Sequence, residues 1–148
     1  MAEAAVYHCV CARGQIPVTW VNHYLRAEYC DGAREWMGSR YDCWALCREV
    51  RHLYCGKRLL DSWGGLRNTM PREFTAAYRA ESASMFMCDP SEGAIAAVFR
   101  GKLCVHVGVV ISIDGDLRVL DINPRRGPRL QRVHDFEREY LRVEYWND

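Results

Sequence analysis

The chain lacks a surplus of charge of either sign. Its 148 residues include 20 basic and 19 acidic side chains, which gives a formal net charge of +1 at pH 7. Proteins that coat nucleic acid or anionic membranes usually carry a strong basic excess. We therefore expect no nucleic-acid partner for this chain.

Long apolar runs are also missing. No stretch approaches the roughly 20 apolar residues that a membrane-spanning helix needs. The opening segment 1–6 has neither the basic residues nor the long apolar core of a secretory signal. We expect no membrane insertion, and a chain that is made and folded in a cytoplasm.

Cysteine, by contrast, is abundant, with eight residues in the chain. Without an export signal, free thiols packed in the core are a better interpretation than a disulfide framework. A metal site is the rival, but Cys9 and Cys11, like Cys43 and Cys47, lack the C-x2-C spacing of structural zinc sites. We expect no metal and no cofactor. A cysteine-ligated metal or iron–sulfur protein is a further hypothesis, which a colourless, metal-free preparation would eliminate.

The first half of the chain shows helical patterns. We divide the chain into a strand or arm over 1–16, with an apolar strand from Val6 to Ala12, and one compact domain over 17–148. Pro17 suits the first turn of a helix that continues through Trp20–Tyr29. Asp42 is a helix cap before Cys43–Tyr54, which Gly56 ends, and a third helix is predicted over Pro71–Ala83.

The second half changes to the period of strands. Strands are predicted over Ala94–Phe99, Val105–Ile113, Leu117–Ile122, Arg129–Val133 and Tyr140–Trp146, with a helical turn or loop over His134–Arg138. The Asp-Gly pair at 114–115 predicts a hairpin. Helices followed by an antiparallel meander indicate the α+β class.

Cys43 stands where a cysteine can become a nucleophile. It follows the cap residue Asp42 and so lies in the first turn of a predicted helix. Unpaired backbone N–H groups and the positive end of the helix dipole favour an anion there. The same N–H groups can receive the oxyanion of an acyl-transfer intermediate.

Five histidines are available as a general base: His8, His23, His52, His106 and His134. His52 lies about two and a half turns along the helix of Cys43, too far to touch it. His106 opens an apolar strand, and Gly108 on the same strand face leaves room beside it. A strand-end histidine that faces solvent is an equally good interpretation of His106 from the residues alone.

A third group must orient the imidazole. Asp121 and Asn123 share one face of the next strand, which the hairpin brings near His106. Asp121 would stabilise an imidazolium as an ionised acceptor, and Asn123 would act as a neutral one. Alternatively, both residues simply begin the turn at Pro124.

Two segments in this order resemble the motifs of the NlpC/P60 cysteine peptidases. Asp-Cys-Trp-Ala-Leu at 42–46 resembles their nucleophile motif, and His-Val-Gly-Val-Val at 106–110 resembles their base strand. Ser91 to Phe99 is similar to the strand that lies between them in that family. The resemblance covers roughly residues 20–146 and implies a papain-like fold, with the nucleophile at a helix N-terminus packed on an antiparallel sheet.

The resemblance also implies roles for individual residues. Cys43 would be the nucleophile and His106 the base, while Asp121, with Asn123 as second choice, takes the place where the family usually has histidine. Aromatic residues near the nucleophile line the substrate site in such enzymes. Tyr29, Trp36 and Trp44 are the candidates for that role. Arg125, Arg126 and Arg129 are interpreted as a solvated turn.

The family cleaves the stem peptides of bacterial peptidoglycan. A tryptophan after the nucleophile, Trp44 here, is typical of single-domain members from phage tail gene clusters and gene transfer agents. The resemblance therefore implies a cell-wall peptidase on a virion tail tip. Such a protein would be assembled in the bacterial host cytoplasm on tail-tip or baseplate hub proteins. The alternative is a structural tail-tip subunit with a vestigial site.

Overall fold

The structure, a computed structural model, describes residues 19–67 and 69–148. Along these residues the elements are α1 (Val21–Leu25), β1 (Glu28–Tyr29), β2 (Arg40–Tyr41), α2 (Cys43–Tyr54), α3 (Pro71–Ser82), β3 (Phe86–Cys88), β4 (Ile95–Arg100), β5 (Leu103–Ile113), β6 (Asp116–Asn123), β7 (Gly127–Arg132), α4 (Val133–Glu139) and β8 (Val143–Asn147). The α+β class predicted from the sequence is confirmed. The predicted arm over 1–16, the strand Val6–Ala12 and the helix start at Pro17 lie outside the described residues.

Six strands form one antiparallel sheet in the order β3-β8-β4-β5-β6-β7. The predicted hairpin joins β5 to β6 through Asp114 and Gly115, whose φ angles are 51° and 85°. Two successive positive φ angles give the tight turn that Asp-Gly favours. Separately, β1 and β2 form a short parallel pair just before α2.

Each face of the sheet buries its own cluster of apolar side chains. Val107 and Val109 of β5 face the helices α2 and α3, where they pack with Leu46 and Val50. Val110 and the other half of the alternating side chains face α4 and pack on Phe136. Successive residues of a strand point to opposite faces, so His106 lies on the α4 side and its neighbour Val107 on the α2 side.

Helix α2 has the predicted bounds because residues within and next to it determine both of its ends and its buried face. The Asp42 carboxylate accepts the backbone N–H of Ala45 at 2.9 Å, which satisfies one of the free donors of the first turn. Leu46, Cys47 and Val50 are fully buried along one face. Gly56, with φ of 69°, lets the chain leave the helix.

Several elements differ from the prediction. The short strands β1 and β2 were not predicted, and β1 occupies Glu28–Tyr29, where a helix was predicted. Helix α1 ends at Leu25. The last strand begins only at Val143, because the N–H of Tyr140 bonds to the Phe136 carbonyl and Tyr140 therefore still belongs to the end of α4. Strand β3 was not predicted at all. Phe86 in β3 is 77% exposed, so this edge strand lacks the alternation of buried and exposed residues that identifies a strand.

Candidate active site

Cys43 occupies the first position of α2, at the N-terminus of the helix. Its sulfur receives a hydrogen bond from the backbone N–H of Val107 in β5. The loop before the helix is fastened over this end: Asp42 Oδ2 accepts the Gly32 N–H at 2.9 Å and an Arg34 guanidinium N–H at 2.7 Å. Asp42 therefore fixes both the helix start and the loop that covers it.

His106 and Asp121 form a buried pair. The distance between His106 Nε2 and Asp121 Oδ2 is 2.7 Å, and neither residue is more than 5% exposed. An ionised carboxylate accepts, so the pair fixes the imidazole with a proton on Nε2. The ring of Tyr140 packs beside the imidazole, with 5.5 Å between the ring centroids. The structure thus pairs His106 with Asp121, the first of the two predicted partners.

The thiol and the imidazole approach the same stretch of β5 from opposite faces of the sheet. Strands β5 and β6 pair from Ile113–Asp116 to Val109–Leu120 and are not paired beyond that point. The backbone N–H of Val107 therefore makes no hydrogen bond to β6 and donates to the Cys43 sulfur instead. The side chain of the preceding residue, His106, is hydrogen-bonded to Asp121. The Asp121 bond leaves Nδ1 of the imidazole unused. Within residues 19–67 and 69–148, no hydrogen bond joins the Cys43 thiol to the His106 imidazole.

The environment of Cys43 keeps its thiol protonated. Burial raises the pKa of the Cys43 thiol well above its usual value, and the negative charge of Asp42 raises it further. The Val107 N–H acts in the opposite direction because it stabilises a thiolate. A neutral thiol needs a base to take its proton. The imidazole of His106 lies on the α4 face of the sheet beside Tyr140, whereas the thiol packs on the α2 face.

Asn123, the second choice for the third residue, has a different function. Its side-chain oxygen accepts the backbone N–H groups of Arg125 and Arg126 at 2.9 Å and 2.7 Å. Its amide nitrogen donates to the Tyr140 hydroxyl at 3.3 Å. Asn123 therefore holds the turn after β6, as the alternative interpretation of the sequence had it, and also positions the hydroxyl of Tyr140.

Gly108 makes the contact between β5 and β6 close enough for the pair. A Cβ added at this position would lie 2.9 Å from Val119 Cγ1 and 3.1 Å from Asp121 Cβ. A side chain there would displace β6 and the carboxylate that it carries. The room beside His106 that the sequence predicts is therefore occupied by the backbone of the neighbouring strand and by Asp121.

The three aromatic residues predicted to line a substrate site occupy different surroundings. Trp44 is 1% exposed, packs on Phe74 and donates its indole N–H to the Asp61 carbonyl at 2.9 Å, so it belongs to the core. Trp36 is 45% exposed and lies under the Arg48 guanidinium, beyond the first turn of α2. Tyr29 is half-buried in β1 and packs against the core cluster that contains Cys43.

Residues that the sequence did not single out complete the surroundings of His106. Tyr140 comes from the end of α4 and Arg100 from the end of β4, and both line a cavity of about 510 Å³ together with His106 and Asn123. The sequence feature that could have identified Tyr140 as a neighbour of His106 is its position, as an aromatic residue just after a short amphipathic helix. Nothing in the local sequence around Arg100 indicated that β4 would end at this cavity.

The six described cysteines are free thiols: Cys30, Cys43, Cys47, Cys55, Cys88 and Cys104. Among the residues that the structure describes, no three histidine, cysteine or acidic side chains lie together in a group that could hold a metal ion. The helices in the same part of the chain include none that is long and apolar enough to cross a membrane. Comparisons of the chain with protein-family models, with characterised proteins and with solved structures gave no match.

Proposed function

We propose that the chain is a cysteine peptidase with a papain-like fold of the NlpC/P60 type. The observation that supports it best is the buried bond of 2.7 Å between His106 Nε2 and Asp121 Oδ2, one residue from the N–H group that holds the Cys43 sulfur. A helix-terminal thiol, an imidazole and a carboxylate are the groups that this chemistry requires.

The proposed mechanism is a sequence of proton and acyl transfers, and it requires the imidazole to reach from the α4 face of the sheet to the thiol on the α2 face. His106 Nδ1 takes the proton of the Cys43 thiol as the sulfur attacks the substrate carbonyl, and Asp121 stabilises the imidazolium that results. The oxyanion is received by backbone N–H groups at the start of α2. His106 then gives its proton to the leaving amine. Water, activated by the same imidazole, finally hydrolyses the thioester and restores the thiol.

The substrate and the location in this proposal rest on the resemblance of the motifs at 42–46 and 106–110. By that resemblance the substrate is the peptide stem of bacterial peptidoglycan, and the protein is carried on the tail tip of a phage-like particle. Its partners there are tail-tip or baseplate hub proteins, and it helps the tail to pass the cell wall during DNA entry.

The experiment is digestion of purified peptidoglycan, with released stem peptides measured by mass spectrometry. The wild-type protein is expected to release them, and Cys43→Ala is expected to release none. Cys47→Ala is the matched control, because Cys47 is also fully buried on α2, one turn further on. Equal digestion by the wild type and Cys43→Ala would refute the role of Cys43.

The burial of Cys43 favours a second candidate function. Its side chain is 1% exposed, and burial raises the pKa of its thiol, as expected for a cysteine retained for packing. In that case the protein is a structural tail-tip subunit with a vestigial site. Absence of digestion by the wild type, with normal infection by particles that carry Cys43→Ala, would identify this function.

A further inference from the structure

A cavity of about 510 Å³ opens beside His106, on the α4 face of the sheet. Its lining includes His106, Tyr140 and the apolar residues Val105 and Pro124. A volume of this size is typical of sites that hold small organic molecules. Cys43 does not line the cavity, so a ligand bound there is recognised without the thiol.

The cavity has an excess of positive charge. Arg100, Arg125 and Arg126 line it together with one acidic residue, Glu139. Arg126 is paired with Glu139 at 3.4 Å. Arg100 and Arg125 are exposed, and within residues 19–67 and 69–148 neither side chain forms an ion pair or a hydrogen bond. Two unpaired guanidinium groups at one cavity suit an anion that carries two negative charges.

The sequence predicted only a solvated turn for Arg125 and Arg126, whereas the fold places both at the same cavity as Arg100. Arg100 comes from the end of β4, and the other two from the turn between β6 and β7. The positive charge of the cavity therefore arises from residues that are distant in the sequence.

The hydroxyl of Tyr140 adds a neutral donor. It accepts the amide N–H of Asn123 at 3.3 Å, which leaves its own O–H to donate to a ligand. Burial and the nearby charge of Asp121 raise the pKa of Tyr140, so the hydroxyl keeps its proton. Asn123 is itself held by the backbone N–H groups of the turn after β6, so this donor is fixed in position before a ligand arrives.

The imidazole of His106 distinguishes between the anions that suit such donors. Asp121 holds its Nε2–H at 2.7 Å, and Nδ1 has no hydrogen-bond partner within the described residues. In a neutral imidazole Nδ1 is an acceptor, so it requires a ligand that brings a proton. A carboxylic acid has lost its proton at neutral pH. A phosphate monoester, whose second pKa is about 6, can share a proton with an imidazole.

We propose that the cavity binds the phosphate group of a small organic phosphomonoester. Arg100 and Arg125 neutralise the charge of the phosphate, the Tyr140 hydroxyl donates to one of its oxygens, and another oxygen shares a proton with His106 Nδ1. The organic part of the ligand lies against Val105 and the ring of Tyr140. This site goes beyond the proposed peptidase and is independent of Cys43.

Calorimetric titration of the wild-type protein with phenyl phosphate and with phenyl sulfate tests the proposal. The two probes have the same shape, but the sulfate carries one charge and has no proton to share. Phenyl phosphate is expected to bind about tenfold more tightly, as for one additional charge-assisted hydrogen bond. Inorganic phosphate, which lacks the apolar ring, is expected to bind more weakly than phenyl phosphate. Equal affinity for phenyl phosphate and either of the other probes would overturn the proposal.

Substitution of the two arginines tests their role. Arg100→Gln and Arg125→Gln together are expected to lower the affinity for phenyl phosphate at least about tenfold, because both unpaired charges are lost. Arg72→Gln is the matched control, since Arg72 is an exposed arginine on α3, and it should preserve the affinity. Binding of phenyl phosphate that survives the loss of both arginines would contradict the proposed site.

NMR of the imidazole groups locates the bound probe. Phenyl phosphate is expected to shift the signals of His106 and to leave unchanged those of His52, which is exposed on α2. Shifts at His106 that are absent in the protein with both arginines replaced would support the site. Binding that leaves the His106 signals unchanged would overturn it.

Discussion

His106 donates through Nε2 to the Oδ2 atom of Asp121 over 2.7 Å, and Asp121 has no exposed surface. The second oxygen of this carboxylate has no hydrogen-bond partner within the described residues. A buried carboxylate is costly unless it is paired. The imidazole is therefore the main partner of a charge that the fold keeps away from solvent.

The first prediction concerns this carboxylate. Asp121→Asn retains the shape of the side chain but removes the charge that stabilises an imidazolium. We expect kcat on stem peptides to fall about a hundredfold or more with little change in KM. Nitrogen-15 NMR of the imidazole should show that the proton is no longer held on Nε2. A variant with wild-type kcat would show that Asp121 does not assist His106.

A second prediction concerns the space between β5 and β6. Gly108→Ala would place a Cβ 3.1 Å from Asp121 Cβ and 3.2 Å from the Leu120 carbonyl oxygen. Because backbone atoms cannot give way easily, we expect a loss of about 1–3 kcal/mol in the free energy of unfolding. Urea unfolding measures it. Gly64→Ala is the control, since its nearest neighbour would be Ser62 Oγ at 3.9 Å, and equal effects of the two changes would refute the steric explanation.

A third prediction concerns the buried carboxylate of Glu49, which is 1% exposed. It accepts the hydroxyl groups of Tyr24 and Tyr41, each at 2.7 Å, and the backbone N–H of Met37 at 2.8 Å. Glu49→Ala leaves these donors without an acceptor, so we expect a loss of about 2–4 kcal/mol in the free energy of unfolding.

Thermal and urea unfolding of Glu49→Ala are compared with those of Glu73→Ala, which removes an exposed glutamate from α3. The control should change stability by about 0.5 kcal/mol or less. Similar losses in both variants would show that the contacts of Glu49 with α1 and with the segment before α2 contribute little.

A fourth prediction concerns pH. Burial raises the pKa of Cys47 and of Cys104 from 9.0 to about 12. When folding raises the pKa of a thiol, the contribution of the buried thiol to stability is complete at pH values below its pKa in the unfolded chain. That contribution is lost as the pH rises through the pKa of the folded state. Between these values each thiol should cost about 1.4 kcal/mol of stability per pH unit.

Urea unfolding in the presence of a reductant, from about pH 8 to about pH 11, measures this loss. Replacing Cys47 by alanine removes one titrating group and should make the decline shallower, whatever its effect at neutral pH. A free energy of unfolding that stays constant over this range would contradict the burial of the two thiols.

Much of the fold follows from local sequence. Helix α2 was predictable because Asp42 caps it, Leu46 and Val50 repeat at helical spacing, and Gly56 ends it. The hairpin after β5 was predictable because Asp-Gly adopts the two positive φ angles of a tight turn. Strand β3 was not, because its stability comes from pairing with β8 and because Phe86 and Met87 stay exposed.

The candidate site was predictable only in part. The spacing of the hairpin brought Asp121 near His106, but both Asp121 and Asn123 suited the role from the sequence alone. Which of the two residues pairs with His106 depends on the turn after β6, because backbone N–H groups of that turn donate to the side chain of Asn123. Tyr140 and Arg100 reach the cavity through the placement of α4 and β4, and tertiary placement of this kind has no local sequence signal.

The direct test of Cys43 as a nucleophile activated by His106 is covalent trapping. The protein is treated with an epoxysuccinyl peptide, which alkylates activated thiols, and the modified cysteine is located by mass spectrometry. We expect one adduct on Cys43 in the wild type, at least about a hundredfold slower labelling in His106→Ala, and unchanged labelling in His52→Ala. Labelling of Cys43 at the same rate with and without His106, or labelling of another cysteine instead, would contradict the proposed function.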